Sequence, residues 1–356
     1  MQPDPSIRKV LIYRIGSLGD TVVALPSFHL LARAFPNAER RLLTNYPVHA
    51  KAPASAAVLG DSGLVHGYMR YTIGTRNPVE LLRLAWQIRS FNPDLLAYLM
   101  PVRTGKAVRR DEMFFRFSGV RRIAGLPAGD TGSNRFDQAT DLWESEAARL
   151  LRCLDPSGAT DVSDLSNWDL KLTDAEKNKA CELLAPFGFR PIIACGPGTK
   201  MQAKDWGSER WKELLERLNI EHPRHALVLI GAREDSDLSE FAADKWTGPR
   251  LNLCGQITPR ETAAILEHAA VFLGPDSGPM HLAACAGVPC VIAFSARGRR
   301  GIWFPAGSNH QVIYHRTSCQ GCNLETCAAE ARRCLTSIAV QEMVEAVGRV
   351  LSRQAE

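Results

Sequence analysis

The chain has 356 residues, of which 45% are hydrophobic and 23% are charged. A single hydrophobic core rarely grows beyond ~250–300 residues, so this length and ordinary composition predict two globular domains. No run approaches the ~18 consecutive apolar residues of a transmembrane helix, and the net charge of +5 is too small to indicate a nucleic-acid-binding protein. That charge is compatible with an anionic substrate or with an acidic membrane surface.

The first nine residues contain no apolar run of the kind that forms an export signal. The sequence therefore predicts a cytoplasmic protein, and peripheral contact with the cytoplasmic face of the inner membrane stays open. In that compartment the ten cysteines are expected to be mostly thiols.

The chain begins with a predicted strand, a glycine turn and a helix. Residues 9–13 are a short apolar run, and the turn that follows contains Gly16 and Ser17. Glycine lets the backbone come close to a ligand. Asp20 falls at the start of a helix predicted to continue to Phe35, where the helix dipole favours an ionised carboxylate. The turn is therefore a candidate binding site.

Strands and helices then alternate through the first half of the chain. Apolar runs predict strands at residues 42–44, 64–68, 95–99 and 122–124, and helical spacing predicts helices at 78–91 and 104–117. This alternation is typical of a parallel sheet covered by helices on both faces. It predicts an α/β, doubly wound architecture.

A basic segment covers residues 103–122, with seven Lys or Arg residues against two acidic residues. The spacing of Arg103, Lys106 and Arg110 places them on one face of a helix. A solvated helix face and a docking surface for a phosphorylated partner are both open interpretations of this segment.

Residues 155–169 are rich in Asp, Ser and Gly and show no periodicity, so they are predicted to form a linker. The predicted domains are an amino-terminal domain at residues 1–160 and a second domain at residues 165–335. An amphipathic helix within residues 336–356 is expected to pack back on the amino-terminal domain.

The most informative stretch of the second domain is VFLGPDSGPMHLAACA, residues 271–286. A short apolar strand leads into a turn, and Pro279 marks the start of a helix. Asp276, Ser277 and Gly278 then lie at the positive end of that helix, where backbone amides bind anions. A simple helix cap is the alternative interpretation.

Four cysteines late in the chain are spaced as Cys319-x2-Cys322-x4-Cys327-x6-Cys334. Their density is that of a structural metal site for zinc or iron, although the spacing matches no standard zinc module. Reduced structural thiols are the alternative.

Four motifs together resemble those of glycosyltransferase family 9, which contains the heptosyltransferases of lipopolysaccharide core synthesis. They are RIGSLGD at 14–20, KDW at 204–206, GARE at 231–234 and DSGPMH at 276–281. The motifs occur in the family's order and span nearly the whole chain. The resemblance implies a GT-B fold, in which two Rossmann-like domains face a central cleft. It also implies an inverting mechanism and no metal or other cofactor at the reaction centre.

The resemblance implies roles for individual residues. Asp20 would be the general base that takes the proton of the acceptor hydroxyl. Lys204 would stabilise the departing nucleoside diphosphate, together with the backbone amides of Ser277 and Gly278. The other implied donor contacts are Thr199, Glu234 toward the ribose, Asp276 toward the sugar, and His281, which is equally well explained as a core residue. The candidate acceptor contacts are Gly16, Ser17, Arg103, Lys106 and Arg110.

The sequence departs from the family after the last core strand, where many members have a Phe-Gly-Pro-Thr run and this chain has Arg297, Arg299 and Arg300. These arginines could contact a phosphate or face water, so the donor stays open, with an ADP-sugar favoured. The predicted function is transfer of a sugar, with heptose as one candidate, to a saccharide or lipid-linked acceptor of the lipopolysaccharide type. A sugar-nucleotide epimerase of the same fold and a non-catalytic sugar-nucleotide sensor are the alternatives.

Overall fold

The computed structural model describes residues 1, 3–45, 55–127, 132–158 and 160–353. The chain divides into two compact units, Met1–Lys171 and Leu172–Glu356. This boundary lies after the predicted one because residues 165–169 pack on the first unit. Nη2 of Arg33 donates to Oδ1 of Asn167 at 2.7 Å, and Nε2 of His29 lies 2.8 Å from the carbonyl oxygen of Asp169.

The first unit alternates strands and helices, as the sequence predicts. Its elements are β1 (Lys9–Tyr13), α1 (Leu18–Val23), α2 (Leu25–Ala34), β2 (Glu39–Asn45), α3 (Ser55–Leu59), β3 (Gly67–Tyr71), α4 (Pro78–Phe91), β4 (Leu95–Tyr98), α5 (Gly105–Phe117), β5 (Ile123–Ala124), β6 (Phe136–Asp137), β7 (Leu142–Trp143) and α6 (Glu146–Leu154). A short 3-10 helix, Leu165–Trp168, follows them.

Among the described residues, the main sheet of this unit has five parallel strands in the order β3-β2-β1-β4-β5, and β6 and β7 form an antiparallel hairpin. The strand order reverses between β1 and β4. In open parallel sheets, ligands bind beyond the carboxyl ends of the strands at such a reversal. The turn after β1, which the sequence marks as a binding site, therefore occupies the expected position.

The single helix predicted to follow β1 is in fact two helices. Helix α1 ends at Val23 with Ala24 as its C-cap, and α2 carries Pro26 in its first turn. Proline lacks an amide hydrogen and is tolerated only at the start of a helix, so the chain restarts the helix there.

The second unit is built from the same repeating pattern. Its elements are α7 (Asp174–Leu184), β8 (Ile192–Cys195), α8 (Ser208–Glu221), β9 (Ala226–Leu229), α9 (Ser236–Ala242), β10 (Arg250–Asn252), α10 (Pro259–Leu266), β11 (Ala269–Pro275), α11 (Gly278–Cys285), β12 (Cys290–Phe294), β13 (Gln311–Tyr314), α12 (Arg333–Thr336) and α13 (Val340–Arg353). Short 3-10 helices lie at Ala185–Phe187, Gln202–Lys204 and Arg233–Asp235.

Within the described part of this unit, six parallel strands are ordered β10-β9-β8-β11-β12-β13. The order reverses between β8 and β11, so the turns after these two strands lie at the ligand-binding edge of the sheet. No helix among the described residues is long and apolar enough to span a bilayer.

The last helix corrects one expectation. The sequence predicts that the C-terminal helix packs on the first domain, whereas α13 contributes Val340, Met343 and Val347 to the core of the second unit. These side chains share that core with Trp211 and Leu214 of α8. The amphipathic spacing correctly indicates a buried face, but spacing does not identify the surface that buries it.

Candidate functional site

The turn after β1 holds Asp20 in a defined orientation. Ser17 is the N-cap of α1, and Asp20 is the third residue of that helix. Oδ2 of Asp20 accepts hydrogen bonds from the backbone amide of Ser17 at 2.7 Å and from its hydroxyl at 2.9 Å. A carboxylate at this position commonly reaches back to the N-cap amide. The side chain of Asp20 remains 27% exposed, so its carboxylate is both anchored and accessible.

Gly16 provides the space for that carboxylate. Its φ of +139° lies in a region that favours glycine, and a Cβ built on it would lie 2.6 Å from Oδ2 of Asp20. The amide of Gly16 donates to Oδ1 of Asn45, at the end of β2, at 2.9 Å. The glycine of this turn is thus required by the position of Asp20 itself.

A buried charge network lies behind Asp20, and sequence reasoning did not find it. Arg14 is fully buried and donates from Nε and Nη2 to the carbonyl oxygen of Asp20, at 3.0 and 2.8 Å. Its Nη1 lies 3.5 Å from Oε1 of Glu146 in α6, and Glu146 in turn accepts two 2.7 Å bonds from Arg149. Although burial opposes its charge, the hydrogen bonds to Glu146 raise the pKa of Arg149. The network fixes the backbone that carries Asp20.

The candidate acceptor residues Arg103, Lys106 and Arg110 do not act as one helical face. Arg103 precedes the N-cap of α5, Thr104, and is therefore outside the helix. Arg103 and Arg110 both bind the buried carboxylate of Asp111, at 2.8 and 3.0 Å, while Lys106 is exposed. The face predicted from spacing is thus wrong for Arg103, because the helix begins two residues after it.

Asp111 also joins the sheet to this arginine pair. The hydroxyl of Tyr98, the last residue of β4, donates to Oδ2 of Asp111 at 2.9 Å. Burial, reinforced by the Asp111 carboxylate, raises the pKa of Tyr98, so the phenol stays protonated and remains a donor. Arg103 is thereby fixed at the carboxyl end of β4.

In the second unit, Lys204 and Asp276 meet at the reversal of the sheet. Lys204 ends a 3-10 helix in the segment after β8, and Asp276 directly follows β11. Nζ of Lys204 lies 2.8 Å from Oδ2 of Asp276, and the two side chains are 18% and 8% exposed. The sequence predicted both residues as donor contacts, and the structure places them in direct contact with each other.

The amino terminus of α11 adjoins this ion pair. Ser277 is its N-cap and Pro279 lies in its first turn, but the Ser277 side chain makes no capping bond. Its buried hydroxyl is unpaired as far as the described residues show. His281 is buried one turn further on, with its ring 6.5 Å from that of Trp303. Ser277 and Gly278 thus form the helix end that follows Asp276, while His281 packs inside.

Thr199 and Glu234 follow neighbouring strands of the same sheet. Thr199 lies in the turn after β8, and its hydroxyl accepts a 3.4 Å bond from the amide of Met201. Glu234 lies in the 3-10 helix after β9 and is exposed. The adjacent Asp235 points inward, accepting from the amide of Ala232 at 2.9 Å. A Cβ on Gly198 would lie 2.6 Å from Oδ2 of Asp235, so this glycine gives the Asp235 side chain room.

The four late cysteines are not gathered into one ligand set. Sγ of Cys319 lies 3.4 Å from the hydroxyl of Thr317, Sγ of Cys327 accepts from the amide of Arg332, and Sγ of Cys334 lies 3.8 Å from Ser295. Cys322 is exposed. In the described ranges, no three His, Cys, Asp or Glu side chains are arranged to hold a metal ion. The interpretation as a metal site finds no support in this geometry.

Arg297, in the stretch that departs from the family, has a structural role that the sequence did not predict. Its Nε donates to the carbonyl oxygen of Leu324 at 2.7 Å, and its Nη2 donates to that of Asn323 at 2.8 Å. Arg297 is partly buried, and both bonds hold its guanidinium on the backbone of this loop. It fixes the loop that carries the cysteines.

The chain has two α/β units, each built on a parallel sheet and each with its candidate residues at the point where the strand order reverses. This architecture defines a protein of the GT-B class. The family profile of "Glycosyltransferase family 9 (heptosyltransferase)" matches residues 147–332, more than half of the chain. The chain belongs to this family.

Known relatives agree with that assignment. Lipopolysaccharide heptosyltransferase 3 of Escherichia coli is 29% identical over 121 residues, which is 33% of this chain and 34% of that protein. The matched region thus spans about a third of this relative's length.

Solved structures support the fold over the whole chain. A family 9 glycosyl transferase from Veillonella parvula has a TM-score of 0.72 at 16% identity, covering 99% of both chains. ADP-heptose lipopolysaccharide heptosyltransferase II of E. coli has a TM-score of 0.67 at 18% identity, covering 98% of this chain and 100% of its own.

Proposed function

We propose that the protein is an inverting glycosyltransferase that needs no metal and moves a sugar from a nucleotide-sugar to a saccharide or lipid-linked acceptor. Membership of family 9 supports the reaction class. The observation that carries the proposal is the ion pair between Lys204 and Asp276, because it holds a cation beside the amino end of α11 at the reversal of the sheet.

This arrangement suits a departing diphosphate. An ammonium has three N–H donors, so Lys204 can bind Asp276 and still donate to phosphate oxygens. The first amides of α11 lack partners within the helix and carry its positive dipole. Together, the cation and the amides can stabilise the charge that develops on the leaving oxygen, which is the role of a divalent ion in metal-dependent transferases.

Asp20 is proposed to accept the proton of the attacking hydroxyl. In one displacement, the acceptor oxygen bonds to the anomeric carbon, the bond from that carbon to the diphosphate oxygen breaks, and the acceptor proton passes to the Asp20 carboxylate. Attack from the side opposite the leaving group inverts the configuration. The bonds from Ser17 hold the carboxylate in place, and Nη2 of Arg14 lies 3.7 Å from its Oδ1. Gly16, Ser17 and Arg103 lie near the carboxyl ends of β1 and β4 and are proposed to contact the acceptor.

ADP-heptose is the proposed donor. One solved structure with this fold is named as an ADP-heptose heptosyltransferase, and the description of the family contains the word heptosyltransferase. Glu234 is exposed after β9 and is assigned to the ribose hydroxyls, while Thr199, after the neighbouring β8, is assigned to the diphosphate. His281 is assigned to positioning α11, because it is buried.

The decisive experiment begins with a thermal-shift screen of ADP-, UDP-, GDP- and dTDP-sugars. A ligand that binds only the folded protein raises the melting temperature by mass action, so ADP-heptose should give the largest shift. Transfer to a lipopolysaccharide-type acceptor should then proceed at the same rate with EDTA as with magnesium. Loss of transfer in EDTA that magnesium restores would contradict the metal-free mechanism, and a shift by another sugar nucleotide alone would contradict the donor.

A further inference from the structure

The surface formed by α4 and α5 of the first unit has an unusual composition. Helix α4 buries Leu84, Ile88 and Phe91 in the core of its unit. On its opposite side, Leu82 and Trp86 are nevertheless 59% and 68% exposed. An amphipathic helix normally places polar residues on its outer face. Helix α4 is therefore apolar on two sides, of which the described residues cover only one.

Helix α5 lies beside α4 and also has apolar residues on both a buried side and an exposed side. Val108 and Phe115 are buried, whereas Met113 and Phe117, one turn apart, are 58% and 64% exposed. Nη2 of Arg89, near the end of α4, donates to the carbonyl oxygen of Phe117 at 3.3 Å, which joins the ends of the two helices.

The two helices also lie in one layer. Leu84 and Ile88 of α4 and Phe115 of α5 belong to the same core cluster as strand residues of β1 and β4, so both helices cover the same side of the sheet. Their outer faces form one surface, which we call the α4–α5 face. Its exposed apolar residues are Val79, Leu82, Trp86, Met113 and Phe117.

Positive charge is concentrated in the segment of the chain that carries this face. Residues 70–122 contain eleven Lys or Arg residues against four acidic residues, an excess of seven, whereas the whole chain has an excess of only five. The rest of the chain is therefore slightly acidic. On the helices themselves, exposed Arg83 and Arg109 flank the apolar residues.

Two basic hollows border the apolar residues. One, of about 590 Å³, is lined by Trp86 together with Lys9, Arg41 and Arg70, and the guanidinium carbon of Arg41 stands 4.6 Å from the ring centre of Phe91. The other, of about 540 Å³, lies beyond the ends of α4 and α5. Three arginines line it, against one carboxylate, Asp94. They are Arg89, Arg121 and Arg122.

We propose that the α4–α5 face docks the protein on an anionic phospholipid bilayer. Exposed aliphatic and aromatic side chains surrounded by arginine match an interface in which acyl chains lie beneath negatively charged headgroups. Tryptophan, here Trp86, favours that boundary because its ring is apolar and its N–H is polar. This inference goes beyond the proposed transfer reaction, since docking needs neither donor nor acceptor sugar.

The test is co-sedimentation of the full chain with vesicles, without any sugar nucleotide. Binding to vesicles of phosphatidylethanolamine and phosphatidylglycerol should exceed binding to pure phosphatidylcholine and should fall as salt screens the charges. Leu82→Ser/Trp86→Ser should weaken binding at least about tenfold. Arg83→Gln/Arg109→Gln should weaken it by about fivefold for each arginine.

A control makes one change of each kind elsewhere, an apolar residue to serine and an arginine to glutamine. Ile220 of α8 is 71% exposed and Arg224 is exposed, both in the second unit. Ile220→Ser/Arg224→Gln should bind vesicles like wild type. Equal losses in this control and in the α4–α5 variants, or no binding of wild type to anionic vesicles, would overturn the proposal.

Depth is tested separately with brominated lipids, which quench tryptophan fluorescence from within the bilayer. Trp86→Phe should still bind but lose the quenching that wild type shows, and unchanged quenching would contradict insertion of Trp86.

Sedimentation velocity addresses self-association. A wild-type dimer that Leu82→Ser/Trp86→Ser converts to monomer would show that a second copy covers the face, and would overturn the bilayer proposal. Because these measurements do not involve transfer, their failure would leave the proposed reaction intact.

Discussion

The ammonium of Lys204 lies 2.8 Å from Oδ2 of Asp276, in an ion pair that is largely buried. The first prediction concerns this pair. Lys204→Ala removes the cation proposed to bind the diphosphate. A hydrogen bond to a charged group contributes ~1.5–3 kcal/mol, so ADP affinity should fall by about ten- to a hundredfold. Isothermal titration calorimetry with ADP measures this loss.

In Lys204→Ala the carboxylate of Asp276 would be left buried without its partner. An unpaired buried charge destabilises a protein, so this variant should also melt at a lower temperature. The double variant Lys204→Ala/Asp276→Asn should therefore recover melting temperature without recovering ADP affinity. Lys212→Ala breaks an ion pair of similar length, with Asp244 at 3.0 Å, at a more exposed position on α8, and serves as the control for ADP binding. ADP binding that is equal in Lys204→Ala and Lys212→Ala would remove Lys204 from the donor site.

Sequence patterns predicted the helices and strands of this fold better than the contacts between residues that are distant in the chain. The strand before Asp276 and the helix after it could be predicted, because apolar runs and turn residues are local signals. Contacts between distant positions leave no such signal. Arg14 and Glu146 meet behind Asp20 although more than a hundred residues separate them. The buried pair Glu146 and Arg149 is visible as an i, i+3 spacing, but nothing local indicates that it supports the turn after β1.

The second prediction concerns Gly16, whose missing side chain leaves room for the carboxylate of Asp20. Gly16→Ala should lower the free energy of unfolding by ~1–3 kcal/mol, because alanine is strained at a φ of +139° and its Cβ would press on Asp20. The melting temperature should fall accordingly. Gly348→Ala in α13 is the control, since its Cβ meets open space, and it should raise stability by ~0.5–1 kcal/mol. A Gly16→Ala protein as stable as wild type would contradict the crowded geometry.

The third prediction is a pH dependence at His310. Its Nδ1 accepts from the amide of Cys290 at 3.1 Å, and its Nε2 lies 2.6 Å from the carbonyl oxygen of Ala306. The ring is therefore neutral, with the proton on Nε2, and burial lowers its pKa. The unfolded chain then takes up a proton near pH ~6.5, before the folded protein does. The stability from this site is complete above that pH and is lost as the pH falls toward the folded-state pKa.

Melting temperatures of wild type and His310→Gln between pH 7.5 and pH 5 test this sign. The advantage of wild type over the variant should shrink as the pH falls. The other histidines with lowered pKa values remain in both proteins, so the difference isolates His310. A constant advantage of wild type over His310→Gln would contradict the assignment.

The fourth prediction separates two roles of Asp20, which accepts from the amide of Ser17 and is also proposed as the general base. Asp20→Asn keeps an oxygen that can accept from Ser17 but removes the carboxylate that takes the acceptor proton. A general base contributes ~10²–10⁴-fold, so transfer at saturating donor and acceptor should fall by about that factor. Donor affinity and melting temperature should stay close to wild type, because the cap survives.

The control for this variant is Glu261→Gln, which makes the same chemical change at the same helical position. Oε2 of Glu261 accepts from the amide of Thr258 at 2.7 Å, as the third residue of α10. If the cap alone mattered at Asp20, the two variants would behave alike, with small losses of stability and near-normal transfer. A severe loss of transfer confined to Asp20→Asn identifies the carboxylate as the proton acceptor. A rate within a few fold of wild type would exclude Asp20 as the base.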